Sequence, residues 1–430
     1  MLLVFFLQTN WFTICDVIKL VHIFLFICVF YLLGCASYLK QADQTKTYLR
    51  SHQYDLAINN LKEKAETSGK DQLMYLLDYA TILQIKGEYK KSALAFQAAD
   101  KLIDEKDYHS VSQVVGSALG SEEMIQYKGE SYEKFLINSL NAINYLMLGD
   151  YDSALVECRR INNKISAFRM EGRDPYELSS FARYLAAIIW EADRKYDDAY
   201  IEYEGAYQLD PKIPFIASDL IRSAYLAQRF DLVKKWKKEF DYRHADSEVN
   251  PMKDKNLGEI VVIFQEGFGA RKVPRYDSPR FPTLRPEYNE SSTAQIEIIE
   301  NNSVIKTQVI YDIDSVAMRS LEKDYAALIA RRVGGIVAKA VVSDQIRQKN
   351  NLLGDLAWIA MNVSDRADLR QWSTLPAKIQ IARIFLKPGK YKIKVKSLNS
   401  SGFETGEPIL DMDLLIKSGQ KAFVNYRSLR

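Results

Sequence analysis

The cysteine with the most distinctive surroundings is Cys35. It follows Gly34 at the end of an apolar run over residues 20–33 (LVHIFLFICVFYLL), and Lys19 lies just before that run. A basic residue, an apolar core of roughly 7–15 residues and a small residue are typical of a secretory signal peptide. The run is also shorter than the ~20 residues that an ordinary spanning helix needs. Because a thiolate is a strong nucleophile, Cys35 is positioned to accept a covalent group at the cleavage site.

The residues Leu32-Leu33-Gly34-Cys35 resemble the lipobox of bacterial lipoproteins. The resemblance implies that residues 1–34 are removed as a signal peptide and that Cys35 carries lipid, which includes palmitate. It also implies that Ala36 directs the chain to the outer membrane, facing the periplasm. Residues 1–16 contain no basic residue, which favours a translation start near Val17. The alternative is an uncleaved transmembrane anchor over residues 1–34.

The remaining residues that could do chemistry are scattered in the sequence. Cys158 is the one cysteine of the expected mature chain besides Cys35, and it falls on the apolar stripe of a helix, so we expect it to be buried. His52, His109 and His244 are far apart, and no His, Cys and carboxylate residues have metal-ligand spacing. The sequence therefore predicts no catalytic, metal or cofactor site. Two carboxylates brought together only by folding would leave a cell-wall hydrolase open, as an unfavoured alternative.

One charged motif lies near an aromatic residue in the C-terminal half. Asp368 and Arg370 are two residues apart, and Trp372 follows at the same interval. We expect the two charges to form an ion pair that holds Trp372 beside the next strand. A ligand site is the alternative interpretation.

Composition and charge limit the class of partner. The 430 residues have a formal net charge of +3 and are 47% hydrophobic and 26% charged, which suits a globular protein of two or three domains. The clearest basic cluster surrounds Trp236 and consists of Lys234, Lys235, Lys237 and Lys238. Charge runs of this length usually form a solvated helix face. We therefore expect no nucleic-acid partner.

Internal repeats define the region over residues 35–241. An aromatic residue recurs after a turn, with a small residue three positions later in most copies. The aromatic residues are Tyr54, Tyr89, Tyr151, Tyr196 and Phe230, and the small residues are Ala57, Ser92, Ala154 and Ala199. The pattern resembles tetratricopeptide repeats, which are helix–turn–helix units of about 34 residues. The longer intervals predict an insertion near residues 169–175 and a degenerate repeat or loop near 105–130.

A solenoid of such repeats leaves a concave groove lined by the first helix of each pair. The predicted groove residues are Tyr184, Ile188, Glu191, Ser218, Arg222 and Tyr225. Two occupants are open at this point. One is a segment of another protein, and the other is the chain's own C-terminal domain.

After a polar linker over residues 242–258, the pattern changes from helical to strand-like over residues 259–430. Alternating apolar residues predict half-buried strands. The predicted strands cover residues 259–264, 294–299, 303–311, 379–386, 391–395, 409–416 and 421–426. A helical stretch is predicted between them, over about 314–364, with a bend or close packing at Gly334-Gly335. Arg331, Arg332 and Lys339 exclude it as a membrane span. The predicted fold class is α+β, an all-α solenoid followed by a mixed domain of antiparallel strands with a helical insertion.

Three motifs together resemble a family of proteobacterial lipoproteins with tetratricopeptide-like repeats. They are Tyr127–Glu130 followed by Asn144–Glu157, Val262–Gly269, and Ala367–Pro376. The resemblance implies a membrane-anchored scaffold of the cell envelope whose groove binds another envelope protein. The rival expectation is direct regulation of a peptidoglycan synthase.

Overall fold

The structure, a computed structural model, describes residues 38–108, 126–170, 180–242, 254, 256–348, 351, 355 and 366–430. The predicted signal peptide, Cys35, His109, His244 and most of the predicted linker lie outside the described residues.

The described residues before 240 form ten helices in five pairs. Helix α1 covers residues 38–50. The others are α2 (Tyr54–Glu66), α3 (Gln72–Ile85), α4 (Tyr89–Tyr108), α5 (Ser131–Leu148), α6 (Tyr151–Met170), α7 (Ser180–Ala192), α8 (Tyr196–Leu209), α9 (Ile216–Leu226) and α10 (Phe230–Glu239). The second helix of each pair begins at the aromatic residue that marks the repeat in the sequence. The tetratricopeptide-like pairing is therefore present in the structure.

The turn inside each pair uses the left-handed backbone conformation. The residue two positions before each marker aromatic has positive φ, and these residues are His52, Gly87, Gly149, Arg194 and Gln228. Glycine adopts this conformation at little steric cost, whereas other residues are strained in it. The backbone geometry of the turn is thus kept even where the sequence lacks glycine.

Small residues allow the two helices of a pair to approach closely. Ser92 donates to the main-chain oxygen of Ala80 at 2.7 Å, and both residues are fully buried. In the next pair, Ala142 of α5 and Ala154 of α6 occupy the equivalent positions, and both are also fully buried. Larger side chains at these positions would force the backbones apart.

Ten strands and one long helix form the C-terminal domain within the described residues. The strands are β1 (Gly258–Glu266), β2 (Arg271–Pro274), β3 (Pro282–Arg285), β4 (Thr293–Ile298), β5 (Ser303–Lys306), β6 (Gln308–Asp312), β7 (Lys378–Leu386), β8 (Gly389–Leu398), β9 (Leu410–Ile416) and β10 (Lys421–Arg427). Helix α11 (Ile313–Arg347) separates β6 from β7. Together with the helical repeats, these elements confirm the predicted α+β class.

Two four-stranded sheets pack face to face. The first sheet has the order β10-β1-β7-β6, the second has the order β5-β4-β8-β9, and β2 and β3 form a separate hairpin. All nine residues of β1 are buried. Ile260 and Val262 face the core between the two sheets, while Val261 and Ile263 join the core of the helical repeats. The first sheet is therefore the middle of three layers.

Three local features differ from the sequence prediction. The strand expected over 303–311 is two strands, because the chain crosses at Thr307 from the second sheet to the first. Strands β1 and β10 are parallel, whereas the other pairings are antiparallel. Gly334-Gly335 does not interrupt α11, which is continuous to Arg347. Among the described residues, no helix combines the length and the apolar character that crossing a membrane requires.

Candidate functional site: the groove of the helical repeats

The groove of the repeats contains a segment of the C-terminal domain. This segment, residues 366–377, links the region after α11 to β7 and is called the groove segment below. Its Trp372 side chain is 1% exposed. The indole Nε1 of Trp372 donates to Thr81 Oγ1 at 2.9 Å, and its ring centroid lies 5.7 Å from that of Phe96. Trp372 is therefore inserted between helices of the solenoid, where it shares a core with Ile379 and Ile381 of β7.

Asp78 of α3 binds the two residues after Trp372. Its carboxylate accepts hydrogen bonds from Ser373 Oγ at 2.8 Å, from Thr374 N at 2.9 Å and from Thr374 Oγ1 at 2.8 Å. Burial raises the pKa of Asp78 to about 6, although these hydrogen bonds act in the opposite direction. The buried carboxylate thus takes its hydrogen bonds from a segment almost 300 residues away in the sequence.

Glu133 provides a second buried carboxylate. It occupies the third position of α5, where it accepts from the main chain of Glu130 in a capping box. It also accepts from Trp372 N at 2.8 Å and from Tyr127 OH at 2.6 Å. Burial first, and the neighbouring Glu130 second, raise the pKa of Glu133 to about 7. One side chain therefore caps a solenoid helix and holds the groove segment.

The predicted ion pair of Asp368 and Arg370 is present at the start of the groove segment. Arg370 Nε and Nη2 donate to the Asp368 carboxylate at 2.9 and 2.7 Å. Arg370 Nη1 also donates to Asp71 Oδ1 at 2.8 Å, just before α3. The pair therefore joins the groove segment to the solenoid, a role that the sequence could not indicate because Asp71 is distant in the chain.

A second polar cluster, the ionic cluster, lies between the last repeats and the first sheet. Its centre is Arg383 of β7, whose side chain is 2% exposed. Arg383 contacts Glu191 of α7 at 2.8 Å, Asp219 of α9 at 2.7 Å and Glu259 of β1 at 2.5 Å. It also donates to Tyr203 OH at 2.9 Å. The guanidinium on β7 therefore contacts three solenoid helices, α7, α8 and α9, as well as the neighbouring strand β1.

Arg222 and Lys421 complete the ionic cluster. Arg222 contacts Glu191 and Asp219, each at 2.7 Å, and Lys421 contacts Glu191 at 3.2 Å and also pairs with Glu259. Burial opposes the ionisation of Glu191, yet Arg222, Lys421 and Arg383 hold its pKa well below the ordinary value. The charges of the three carboxylates and three cations sum to zero. The repeats supply two carboxylates and one cation, and the C-terminal domain supplies one carboxylate and two cations, so neither set is neutral alone.

Most of the predicted groove residues lie under the C-terminal domain. Tyr184, Ile188, Glu191 and Arg222 are buried, and Tyr184 OH donates to Asp219 at 2.5 Å. Ser218 is half-buried and donates to a main-chain oxygen of its own turn. Tyr225 is exposed and packs on Phe230. The sequence left two possible occupants of the groove. In the structure the groove is occupied by the chain's own C-terminal domain.

The arrangement limits the chemistry that this site can perform. Raised pKa values in carboxyl groups are common at catalytic sites. However, Asp78 and Glu133 are 2% and 0% exposed and accept hydrogen bonds from the groove segment. Cys158 is buried, and burial raises the pKa of its thiol. Within the described ranges, no group of three His, Cys, Asp or Glu residues is arranged to hold a metal ion.

Sequence reasoning missed Asp78, Glu133, Asp219, Glu259, Arg383 and Lys421. A signal was available for two of them, since Asp78 stands within the apolar run LMYLLDYATIL and Arg383 within IQIARIFL. A charge inside such a run requires a buried partner. The identity of the partner could not be predicted, because it depends on packing between distant elements.

The sequence matches no protein-family model and no curated protein. Solved structures with partial similarity include MamA 41-end from Desulfovibrio magneticus RS-1, with 18% identity over 47% of this chain and 89% of that chain and a TM-score of 0.31. A Podosopora anserina putative kinesin light chain with nearly identical TPR-like repeats is 11% identical. The match covers 47% of this chain and 96% of that chain, with a TM-score of 0.32. Bacillus thuringiensis PlcR, in complex with the peptide PapR7 and DNA, is 13% identical. The match covers 49% of this chain and 72% of that chain, with a TM-score of 0.29. The helix pairs of this chain themselves show the tetratricopeptide-like repeats.

Proposed function

We propose that the chain is a lipid-anchored scaffold of the bacterial envelope. In this proposal Cys35 carries the lipid, the outer membrane holds the anchor, and the rest of the chain faces the periplasm and binds another envelope protein. The lipobox-like residues before Cys35 support the anchor, and the tetratricopeptide-like pairs support a protein-binding role.

The observation that carries the scaffold proposal is a row of exposed apolar residues on the second helices, because the groove itself is filled. Trp372, Ser373 and Thr374 already occupy the surface with which such repeats commonly bind a partner, and their hydrogen-bond partners are buried carboxylates. A scaffold of this design presents the combined outer surface of both halves. Leu94, Val156 and Ile201 occupy the same position in three second helices and are 60%, 41% and 47% exposed, which makes them suitable probes of that surface.

The anchor is tested by metabolic labelling with a clickable palmitate analogue. We expect label on the native chain and none on Cys35→Ser, together with loss of membrane association. Cys158→Ser is the matched control and should keep the label, because Cys158 is buried in the repeats. Membrane association of Cys35→Ser, with no label on the native chain, would refute the lipid anchor and favour an uncleaved anchor.

The scaffold role is tested by photo-crosslinking in membranes. A photoreactive residue is placed at Leu94, Val156 or Ile201 on the outer surface, and at Tyr225 on the rim of the groove. We expect protein adducts when the photoreactive residue is at an outer position, and no adducts when it is at Tyr225. Adducts from Tyr225 alone would show that a partner enters the groove, and a lack of adducts from all four would contradict the scaffold.

A further inference from the structure

The two four-stranded sheets have four edge strands, which are β5, β6, β9 and β10. An edge strand can accept a further strand unless it is short, irregular or covered. Strand β5 has only four residues, β6 contains a bulge between Val309 and Tyr311, and β10 packs against α5 of the repeats. Strand β9 has seven residues, pairs with β8 in a continuous register and contains no proline. Within the described residues, β9 is therefore the edge most open to another strand.

The hydrogen bonds of β8 show which main-chain groups of β9 point away from the sheet. Along a strand, the main-chain groups of successive residues point alternately to the two neighbouring strands. Ile299 N, next to β4, donates to Lys392 O at 3.0 Å, so Lys392 faces β4 and the residue after it faces β9. That residue lies opposite Met412 in the register of the two strands. The main-chain groups of the neighbouring Asp411 and Asp413 therefore point outward from the edge.

The side chains of β9 alternate between two surfaces. Leu410, Met412 and Leu414 pack against the core between the two sheets but are only half-buried. Leu415 lies on the opposite, outer face and is 57% exposed. The apolar side chains of an added strand would cover the half-buried residues, since side chains on adjacent strands pack together. The edge of β9 thus combines outward main-chain groups with incompletely covered apolar residues.

Charge on the outer face of the second sheet alternates from strand to strand. Glu297 of β4 contacts Lys396 of β8 at 3.1 Å. Lys392 of β8 contacts Asp411 of β9 at 3.3 Å, and it lies opposite Asp413 in the register. Opposite charges on adjacent strands stabilise their pairing, whereas like charges directly opposite each other destabilise it. A strand beside β9 should therefore carry lysine or arginine next to the two aspartates.

The same charges disfavour a second copy of this chain as the partner. Two β9 strands that overlap fully in the antiparallel direction place Asp413 opposite the same residue of the other copy, because it is the middle residue of the strand. Repulsion between the two carboxylates opposes this pairing. The pattern fits instead an extended segment in which basic and apolar residues alternate.

We propose that β9 binds a basic extended segment of another protein, which adds to the second sheet as a further strand. The segment forms main-chain hydrogen bonds with residues 411–415 and places its alternate basic side chains beside Asp411 and Asp413. Strand β8 is an example of such a sequence, because residues 389–398 read GKYKIKVKSL and already pair with the other edge of β9. The site lies in the C-terminal domain and requires neither the lipid anchor nor the exposed row on the second helices.

The test measures the binding of a fluorescent synthetic peptide, GKYKIKVKSL, to the purified chain by fluorescence anisotropy. A control peptide carries N-methyl groups on the main-chain nitrogens of its lysines, which keeps its charge but removes the donors that would face β9. Asp413→Pro removes an outward N–H of β9, a substitution that edge strands tolerate. The double variant Asp411→Asn with Asp413→Asn removes the charges and keeps the main chain. Asp152→Asn, at an exposed position of α6, is the matched control.

We expect the unmodified peptide to bind the native chain and Asp152→Asn equally. N-methylation of the peptide and Asp413→Pro should each weaken binding by about tenfold or more, because main-chain hydrogen bonds are lost. The double asparagine variant should weaken binding most at low salt, since salt screens exposed charges. The N-methylated peptide keeps the test decisive if Asp413→Pro does not fold.

Three results would overturn the added strand. The first is equal binding of the two peptides, or binding that a folded Asp413→Pro leaves unchanged, since either would show contact by charge alone. The second is a lack of binding of the unmodified peptide to the native chain. The third is a dimer of the native chain that Asp413→Pro dissociates, which would assign the edge to a second copy.

Discussion

Trp372 is the residue on which the contact between the two halves depends most directly. Its ring is buried, its Nε1 bonds Thr81, and its main-chain nitrogen bonds Glu133. We expect Trp372→Ala to lower the free energy of unfolding by about 3–5 kcal/mol, since it leaves a cavity and removes the hydrogen bond to Thr81. Trp372→Phe should lose less, because it keeps an aromatic ring and leaves a smaller cavity, although it also removes the hydrogen bond to Thr81. Urea denaturation measures both, with the exposed Leu415→Ala as control. An unchanged unfolding midpoint for Trp372→Ala would contradict the structure of the groove.

Glu133 gives the stability of the molecule a distinct dependence on pH. Its pKa is raised from 4.5 to about 7, so the folded protein holds the proton more tightly than the unfolded chain. This contribution to stability is fully present below about pH 4.5 and is lost as the pH rises through about 7. Between pH 5 and 7.5 the native chain should lose about 2 kcal/mol more stability than Glu133→Gln, since the substituted side chain does not titrate. Urea denaturation at a series of pH values tests this.

The matched control for that series is Glu63→Gln, at an exposed position of α2. It should reproduce the native pH curve. The same steep curve for Glu133→Gln would show that Glu133 does not account for this dependence.

The left-handed turn residues provide a test of the repeat geometry. A Cβ added at Gly149 would meet no atom within 4 Å, so the effect of Gly149→Ala comes from its φ of 72° alone. We expect Gly149→Ala to lose about 1 kcal/mol. Gln228 has a φ of 61°, so Gln228→Gly should gain roughly 0.5 kcal/mol, because relief of strain exceeds the added chain entropy. Thermal unfolding measures both changes in stability. Changes of the same sign for the two variants would contradict the left-handed turn conformation.

At the residue scale, the sequence indicated local pairs but not long-range ones. The ion pair of Asp368 and Arg370 was predictable because only Leu369 separates them. The partner of Ser373 is Asp78, 295 residues away, and no sequence spacing carries that information. The buried position of Cys158 followed from the apolar stripe of its helix and is confirmed.

At the scale of elements, the ionic cluster joins two solenoid helices to the first sheet. Replacing Arg383 by methionine leaves Glu191, Asp219 and Glu259 with an excess of buried negative charge. We expect Arg383→Met to cost about 3–5 kcal/mol. Adding Glu191→Gln to Arg383→Met should recover part of that loss, which a double-mutant cycle would measure.

The control for the ionic cluster is the exposed pair of Arg229 and Asp197, whose side chains are 36% and 56% exposed. Arg229→Met should cost less than about 1 kcal/mol because solvent screens that pair. Similar losses for Arg383→Met and Arg229→Met would show that the ionic cluster is not buried in solution.

The strands and helices were largely predictable because each shows a clear hydrophobic period. The strand pairing was not, since the parallel contact of β1 with β10 joins residues about 160 apart. Lys306-Thr307-Gln308 interrupts the apolar residues of 303–311 at the crossing. The interruption does not show which sheet each part joins, because Thr307 makes its contacts in both sheets. The short hairpin was missed because β2 (RKVP) contains three charged or proline residues and β3 (PTLR) contains two, which leaves little apolar alternation.

At the scale of the whole molecule, the middle layer explains why the two halves act as one. Val261, Ile263, Ile379 and Ile381 of the first sheet belong to the same core as the helical repeats, and Tyr151 meets Phe423 across that boundary. The groove segment and the ionic cluster add polar contacts at separate places along it. We therefore expect a single cooperative unfolding transition for both halves.

The measurement that tests the filled groove most directly is amide hydrogen exchange followed by mass spectrometry. The amides of Trp372 and Thr374 donate to buried carboxylates, so peptides covering 370–375 should exchange as slowly as those of α3. The exposed turn at Tyr276 is the fast reference. Slow exchange over 370–375 is the result that the structure predicts. Exchange over 370–375 as fast as at Tyr276, with α3 still protected, would show that the groove is open and contradict the account.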